Sequence, residues 1–507
     1  MYLPASLILA LSLLGALVWT IRRRFARAPS LQNLPGPPSA ELLKGNTQQL
    51  MARHSNEWNK HLAETYGPLS RLTGPFSRTW INVYDPKALY SIAIKDQDVW
   101  LKNASAAKLL GPGLLATEGA QHRKQRKMLT PVFSIAYLRG ITSVFYETTH
   151  KLRDGLIADV GTSSKEVDVL VWMGRAALEL LGQGALGYSF DPLVDDTTND
   201  FAEAVKSFLY AFTLHHPGRH PGLRSMALDA ISSRRVRHLK HIVRTMSKRS
   251  NEIVAEKRAA LQNGDESTVR QVDGGKDIMS ILSQANMAAS AKKEKLSDEE
   301  LTAQISTFIL TGMDTTSNAT ARVLHLLALN SDVQKKLRDE ITEAQAGEEV
   351  TYDRLNDLPY LDSVCRETLR LYGPVRILAR RAVQDTVLPL HEPTRGTDGS
   401  LITEVAVPKG AVAPDRFLSP LPPTVEAARV PGVYPNLMSF HGGSRSCIGF
   451  KYAQLELKVV LAVLVANFTF APSDKEIVWN NAGVAYPSVG KESKTPEMPL
   501  RVSAIRP

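Results

Sequence analysis

One short segment of this chain combines the residue types that could hold a metal ion. Residues 439–452, with the sequence SFHGGSRSCIGFKY, hold one of the two cysteines between glycines. Gly442 and Gly443 favour a tight turn, because glycine adopts backbone angles that other residues avoid. We expect Cys447 at the start of a helix near Ile448, where amide N–H groups favour a thiolate, a soft ligand suited to iron. The alternative for a lone cysteine is a buried structural residue.

A second polar group lies inside a long predicted helix. Residues 297–300, Ser-Asp-Glu-Glu, have the capping-box pattern, and no proline follows until well past Asn330. The pattern predicts a helix of about 32 residues, near 48 Å long. Gly312, Asp314 and Thr315 stand in its middle, where polar residues conflict with helix propensity and indicate a working site. Gly312 would let a flat ligand approach, and the Thr315 hydroxyl would break the local hydrogen-bond ladder. A helix end at Asp314 is the alternative, which the following apolar run disfavours.

Charged residues at helical spacing form two further pairs. His122 and Arg126 are i,i+4 neighbours in a dense basic run, most of which we interpret as a solvated helix face. Glu367 and Arg370 are i,i+3 neighbours beside an apolar stripe that contains Cys365, the second cysteine. We assign Cys365 to packing. On its own, the Glu367–Arg370 pair would be an ordinary surface pair.

Together these motifs resemble those of the cytochrome P450 monooxygenases, and the order and spacing are similar to fungal membrane-bound members. Phe440, Gly443, Arg445, Cys447 and Gly449 match the haem-binding signature of that family. In the family the phenylalanine shields the sulfur, the arginine pairs with a haem propionate, and the cysteine is the axial ligand of haem b. The resemblance therefore implies that Cys447 binds the iron.

The resemblance also implies functions for the other polar groups. Thr315 and Asp314 match the acid–alcohol pair that relays protons to dioxygen, with Thr315 holding the distal oxygen and Asp314 connecting it to solvent. His122 and Arg126 match a helical pair that reaches the haem propionates, with histidine where tryptophan is more usual. Arg380 occupies the family's further propionate-binding position.

A structural ion network is implied as well. Glu367 and Arg370 match the Glu-x-x-Arg motif, which in the family forms a buried network with a downstream arginine. Here that arginine is Arg416, in a segment Pro-Asp-Arg-Phe that resembles the family's meander motif.

One departure from the family pattern lies near residues 410–414. Only three residues separate Gly410 from the meander motif, where the family has a strand and a short helix that need about two dozen residues. Either the translated sequence omits a segment, or the protein lacks an internal strand and leaves backbone donors unpaired at about 1–3 kcal/mol each. A haem-binding but catalytically impaired protein is therefore an open alternative.

Composition bounds the remaining possibilities. The 507 residues are 43% hydrophobic, enough for a sizeable core, and the two cysteines exclude a disulfide framework. The net charge of +10 is spread along the chain without a block that would follow phosphates, so nucleic acid is not an expected partner.

The N-terminus has the pattern of a membrane anchor. Residues 2–21 are uncharged, about as long as a bilayer-spanning helix, and four arginines follow them. A cleaved signal peptide would carry its charge before the apolar run, and the positive-inside tendency puts the N-terminus in the lumen. We predict an anchor over residues 1–21, a basic, proline-rich hinge over 22–38, and one catalytic domain over 39–507.

These patterns predict a mainly α-helical protein with small β-sheets, the cytochrome P450 fold with an N-terminal transmembrane helix. The resemblance implies a monooxygenase that hydroxylates or epoxidises a lipophilic small molecule with O2. Electrons would come from NADPH through NADPH–cytochrome P450 reductase, which Lys124 and Lys127 would face. The protein would be single-pass in the endoplasmic reticulum membrane, with its catalytic domain cytosolic. A reductase-independent haem-thiolate isomerase or dehydratase is a further alternative, disfavoured by the intact Asp314–Thr315 pair.

Overall fold

Helices dominate the computed structural model, with small β-sheets beside them, as the sequence predicts. The structure describes residues 15, 29–41, 44–102, 110–191, 193, 234–262, 277–288, 295–345, 349–408, 412–416, 430, 432–434 and 437–505. The predicted anchor, apart from residue 15, and most of the hinge lie outside these residues. Across the described part of the chain, no helix has the length and apolar character needed to cross a membrane.

The α-helices of the described residues range from 4 to 32 residues in length. In chain order they are α1 (Thr47–Leu50), α2 (Asn56–Tyr66), α3 (Pro86–Tyr90), α4 (Gly119–Leu129), α5 (Ile135–Gly140), α6 (Thr142–Val160), α7 (Val169–Leu181), α8 (Arg234–Gln262), α9 (Ile278–Ala288), α10 (Asp298–Leu329), α11 (Ser331–Gln345), α12 (Tyr352–Asn356), α13 (Pro359–Tyr372) and α14 (Phe450–Asn467).

The strands form sheets of two, three and five strands. They are β1 (Leu69–Thr73), β2 (Thr79–Val83), β3 (Trp100–Lys102), β4 (Lys165–Asp168), β5 (Ile377–Ala382), β6 (Thr386–Arg395), β7 (Leu401–Val407), β8 (Val412–Arg416), β9 (Phe468–Pro472), β10 (Ile477–Asn480), β11 (Tyr486–Val489) and β12 (Pro499–Ala504).

The described residues divide into two compact units. The first contains the described residues up to 102 together with those between 377 and 430, and the second contains the described residues between 110 and 376 together with those between 432 and 505. The predicted single catalytic domain over residues 39–507 stays a prediction.

The first unit contains the five-stranded sheet, in the order β1-β2-β8-β5-β3. Strand β8 runs parallel to β2, with Trp80 opposite Val412, and antiparallel to β5, with Ile377 opposite Arg416. The internal strand position that one of the two alternatives left empty is therefore filled by β8. Residues that the resemblance assigns to the meander motif supply this strand, because the edges of β2 and β5 would otherwise keep unpaired backbone groups. Pro414 has no N–H to donate and is unusual in an internal strand.

The second unit is built around α10. Its 32 residues match the predicted length, and the capping box at Ser297 is confirmed, with Ser297 Oγ accepting from the Glu300 amide at 3.1 Å. Helices α7, α13 and α14 pack against it. Phe133 lies edge-on to Phe308 of α10 and to Tyr452 of α14, with ring centroids 5.8 and 6.3 Å apart. The buried apolar side chains of these helices form one continuous core.

The carboxylate of Glu300 connects the start of α10 to α4. It accepts hydrogen bonds from Gln121 at 3.0 Å and Gln125 at 2.9 Å, and it pairs with Lys124 at 3.0 Å. Burial alone would raise the pKa of Glu300, but these bonds and the one from the Ser297 amide outweigh it and hold the pKa at about 2. Lys124 therefore has a partner within the chain, and its predicted position in a reductase-facing surface stays a prediction.

Glu300→Gln is expected to lower the free energy of unfolding at pH 7 by about 1–3 kcal/mol, because it weakens a buried, charge-assisted group of bonds. The carboxyl group has a pKa of about 2 in the folded protein against an ordinary 4.5. Its stabilisation is therefore complete above that ordinary value and is lost as the pH falls toward 2. Urea denaturation from pH 7 to pH 3 measures this, and the difference between the proteins should shrink on acidification. Glu299→Gln, an exposed neighbour, is the control. An equal, pH-independent loss in both variants would contradict the assignment.

Candidate active site

The cysteine loop is held by a turn at residues 441–446. Gly443 has φ +65° and opens a short 3-10 turn, Gly443–Arg445, while Gly442 is extended, with φ −135° and ψ 174°. The second left-handed residue is His441, with φ +59°. Only one of the two glycines therefore needs its conformational freedom. The Cys447 amide donates to the Phe440 carbonyl at 2.8 Å, and helix α14 begins at Phe450, slightly later than predicted.

The thiol of Cys447 is exposed, whereas that of Cys365 is buried. A structural cysteine would have its sulfur covered, so that alternative does not fit Cys447. The surrounding protein nevertheless desolvates the thiol and raises its pKa, against a hydrogen bond from the Gly449 amide and the charge of Arg126. The Gly449 amide and Arg126 both favour the thiolate, but desolvation outweighs them in the absence of a metal ion. Metal binding deprotonates such a ligand, because only the thiolate coordinates.

Helix α4 holds the cysteine loop from one side. Arg126 donates to the carbonyl of Ser446 at 2.6 Å and to its hydroxyl at 2.9 Å. From the loop, Arg445 Nη1 donates to the Thr117 carbonyl at 2.9 Å. His122, one turn before Arg126, is buried. Ser446 is a positioning residue that the sequence reasoning missed, and its place beside the cysteine was the one signal that could have indicated it.

The middle of α10 keeps its helical ladder. Thr315 Oγ1 donates to the Thr311 carbonyl at 2.6 Å, and Thr311 Oγ1 donates to the Thr307 carbonyl at 2.7 Å. The helix is continuous through both, so the expected break at Thr315 is wrong. Such bonding to the i−4 carbonyl satisfies the hydroxyl without interrupting the helix. Asp314 is half-buried, and its carbonyl accepts from Asn318 Nδ2 at 2.8 Å.

Gly312 faces the neighbouring helix. A Cβ at this position would lie 3.1 Å from Cδ1 of Leu181, in α7. The glycine therefore lets α7 approach α10, which the sequence reasoning did not foresee. Gly449 differs, because a Cβ there would make an ordinary 3.8 Å contact with Phe133. The predicted approach of haem to both glycines stays a prediction.

The Glu367–Arg370 pair is formed, at 2.6 and 2.7 Å, but it is not buried as the resemblance implied. The Glu367 side chain is 58% exposed and that of Arg370 is 23% exposed. Helix α13, which carries both, is tied to the cysteine loop by Ser439 Oγ, which donates to the Leu369 carbonyl at 2.8 Å.

Arg380 and Arg416 belong to the first unit. Arg380 is buried in β5, where its backbone lies opposite Lys102 and Ala413. Arg416 lies opposite Ile377 at the end of β8, and its side chain is outside the described part of the structure. Their predicted contacts with a haem propionate and with Glu367 stay predictions.

The residues around the cysteine fit a haem with an axial thiolate. An exposed thiol can coordinate iron, and an amide donor tunes the sulfur. Arg126 and Arg445 flank the loop and would hold the negatively charged propionates. The guanidinium of Arg126 has five N–H donors, so its two bonds to Ser446 leave donors for an anion. The site is therefore of the haem-thiolate class.

Comparison with known proteins gives the family. The profile of the family described as cytochrome P450 matches residues 35–397 and 412–494. The chain is 46% identical to ganoderic acid synthetase of Ganoderma lucidum, over 99% of this chain and 100% of that protein. It is also 46% identical to cytochrome P450 monooxygenase 91 of Postia placenta, over 98% and 99%, and 45% identical to monooxygenase 81 of the same fungus, over 97% and 96%.

The chain belongs to the cytochrome P450 family. Its fold is the P450 fold, it is a P450 monooxygenase, and its cofactor is haem. The profile match stops at residue 397 and resumes at residue 412, where β8 begins. The comparison with the Ganoderma protein runs over 546 aligned positions, more than the 507 residues of this chain. That relative therefore has residues without a counterpart in this chain.

Arg126→Met is expected to raise the pKa of the Cys447 thiol further in the haem-free protein, because the guanidinium favours the thiolate. The pH dependence of alkylation by iodoacetamide measures this. Cys365 is buried, and its pKa is raised to about 12, so alkylation reports Cys447. Arg123→Met, an exposed arginine of the same helix, should leave the profile unchanged. Identical profiles for both variants would show that Arg126 does not act on the sulfur.

Proposed function

We propose that this protein inserts one oxygen atom of O2 into a lipophilic small molecule, by hydroxylation or epoxidation, with electrons that originate from NADPH. The observation that carries the proposal is the exposed thiol of Cys447, within the electrostatic influence of Arg126. The same unit holds the half-buried Thr315 and Asp314 in the middle of α10. An acid, an alcohol and a metal-binding thiol are the groups that this reaction needs.

Haem, when bound, supplies the oxidation, and the protein supplies position and electrostatics. Cys447 would hold the iron from the loop that Ser446 and Phe440 brace. Arg126 and Arg445 would hold the propionates. Thr315 Oγ1 can accept a hydrogen bond while it donates to Thr311, and by turning from that carbonyl it can donate to an oxygen atom in the groove. Asp314, half-buried beside it, would carry the proton from solvent.

Partner and location are parts of the same proposal. We propose that NADPH–cytochrome P450 reductase delivers the electrons and that exposed Lys127 lies in its docking surface. We propose that residues 1–21 anchor the chain in the endoplasmic reticulum membrane, with the catalytic part in the cytosol. The uncharged run and the arginines after it support this orientation.

The relatives support oxidation over the isomerase or dehydratase alternative, since the two from Postia placenta are named monooxygenases. The relative from Ganoderma lucidum is named for ganoderic acid. Because the identity to this relative is 46%, we propose only the class of substrate, a lipophilic small molecule, and not ganoderic acid itself. The filled strand position at β8 supports an active protein over an impaired one.

Cys447→Ser is expected to abolish the band near 450 nm in the ferrous–CO difference spectrum, because a serine hydroxyl is not a soft ligand. Cys365→Ser changes the other, buried cysteine and should keep the band. Folded wild-type protein without the band would refute a haem-thiolate site.

Thr315→Ala is expected to lower NADPH-dependent product formation by about 100-fold, because it removes the hydroxyl that holds a proton at the reacting oxygen. Thr320→Ala is the matched control. Thr320 makes the same kind of bond, to the Thr316 carbonyl at 2.9 Å, on another face of α10. Product formation from a lipophilic panel, with the reductase present, measures the effect. Equal losses in the two variants would indicate a purely structural threonine. No product from haem-loaded wild type would favour the impaired alternative.

A further inference from the structure

Residues 111–117, which we call the 111–117 loop, lead into α4 and contact the cysteine loop. The carbonyl of the last residue, Thr117, accepts the hydrogen bond from Arg445 at 2.9 Å. Arg445 lies two residues before Cys447 and belongs to the haem-binding signature. The position of the Thr117 carbonyl therefore limits where the guanidinium of Arg445 can lie.

One buried side chain of α4 holds both ends of the 111–117 loop. Gln125 is 0% exposed. Its Nε2 donates to the Pro112 carbonyl at 2.7 Å, and its Oε1 accepts from the Thr117 hydroxyl at 2.8 Å. The same Nε2 donates to Glu300 Oε1 at 2.9 Å, which connects the amide to α10. Both N–H groups of this buried amide are used, so Gln125 has a fixed orientation and holds Thr117 in place.

Helix α10 holds the middle of the 111–117 loop. The Leu114 amide donates to Gln304 Oε1 at 3.0 Å. Gly113 lies directly against the helix, because a Cβ at this position would come within 2.6 Å of the Ala303 carbonyl oxygen. The loop therefore cannot move toward α10.

The loop also borders a cavity of about 500 Å³, whose wall includes Gly111, Pro112, Ala116 and Thr117. Close packing on every side would fix a loop by contact alone, but an open space leaves room for a shift. The hydrogen bonds of Gln125 therefore keep the Thr117 end of the loop from moving into the cavity.

Gln125 and Arg126 are consecutive residues of α4, and they reach consecutive residues of the cysteine loop. Arg126 donates to Ser446 directly. Gln125 reaches Arg445 through Thr117. Helix α4 therefore holds the cysteine loop at two points, one by direct contact and one through the 111–117 loop.

We propose that Gln125 and Thr117 are positioning residues for haem, which together orient the guanidinium of Arg445 toward a propionate. The inference rests on the proposed function in one respect, that Arg445 holds a propionate. An arginine in that position compensates the propionate charge, which slows the loss of haem and favours ferrous over ferric iron. If the Thr117 carbonyl shifts, Arg445 loses this orientation and both properties change.

Thr117→Val tests the proposal, because it removes the hydroxyl that binds Gln125 and keeps the carbonyl that binds Arg445. We expect the haem-loaded full chain to release haem to excess apomyoglobin about tenfold faster than wild type, as is typical when a residue that orients a metal ligand is changed. We also expect a redox titration to show a shift toward the ferric state. Thr117→Ser keeps the hydroxyl and should match wild type in both measurements. Unchanged release and potential in Thr117→Val would overturn the proposal.

Thr149→Val is the matched control. Thr149 is 0% exposed, and its hydroxyl donates to the Phe145 carbonyl at 2.6 Å within α6. This variant also loses one buried, hydrogen-bonded hydroxyl, but it should keep the wild-type release rate and potential. Equal changes in the two valine variants would show that Thr117 affects only the stability of the fold, and would overturn the proposal.

A double-mutant cycle shows whether Thr117 acts through Arg445. Arg445→Lys keeps the positive charge but lacks the planar fork of donors, so it should also release haem faster. In the double variant, Thr117→Val should add little, because contacting residues on one path are not independent. Fully additive effects on the logarithm of the release rate would overturn the proposal. An Arg445→Lys protein that releases haem at the wild-type rate would overturn it too.

Haem release and redox titration need no turnover. A protein in which Thr117→Val releases haem faster, but which forms no product with NADPH and reductase, would refute the proposed function and leave the positioning residues standing. A protein that forms product, with release and potential unchanged in Thr117→Val, would do the opposite.

Discussion

The second unit depends on one helix that is bonded on two sides. Helix α4 binds the first turn of α10 through Gln121, Lys124 and Gln125, which all reach the carboxylate of Glu300. Through Arg126 it binds Ser446, the residue before the cysteine. The long helix with Thr315 and the loop with Cys447 are far apart in sequence, and α4 connects them through charge-assisted hydrogen bonds. Such bonds hold donor and acceptor at fixed distances, so α4 limits how far the two halves of the site can separate.

The parts of the structure that the sequence predicted were those with local causes. The start of α10 follows from a capping box whose partners are three residues apart, and its length follows from the absence of proline. The pairing of Glu367 with Arg370 follows from helical spacing, but its exposure depends on what packs over α13, which spacing does not encode. Likewise Lys124 belongs to a basic run that suggested a solvated face, and only the fold brings Glu300 to it. Contacts between distant segments were the ones missed.

Two residues in the middle of α10 also have structural functions. We predict that Gly312 and Thr315 act on a ligand, because small and polar residues are unusual inside a helix, and the structure adds a second reason for each. In the structure Gly312 admits Leu181 of the next helix, and Thr315 satisfies its hydroxyl on the Thr311 carbonyl. A closely packed helix needs both solutions even without a ligand. Strand β8 also satisfies a packing need. The edges of β2 and β5 would otherwise keep unpaired backbone groups, so the residues after position 411 pair with both strands, although they include a proline.

The desolvated thiol of Cys447 links binding to stability. The surrounding protein opposes the thiolate and raises the pKa of the sulfur, although the Gly449 amide and Arg126 favour the charged form. A metal ion recovers this cost, because only the thiolate coordinates and the cation compensates its charge. A ligand that binds the folded chain and not the unfolded one stabilises the fold, so binding of haem at Cys447 should raise the free energy of unfolding.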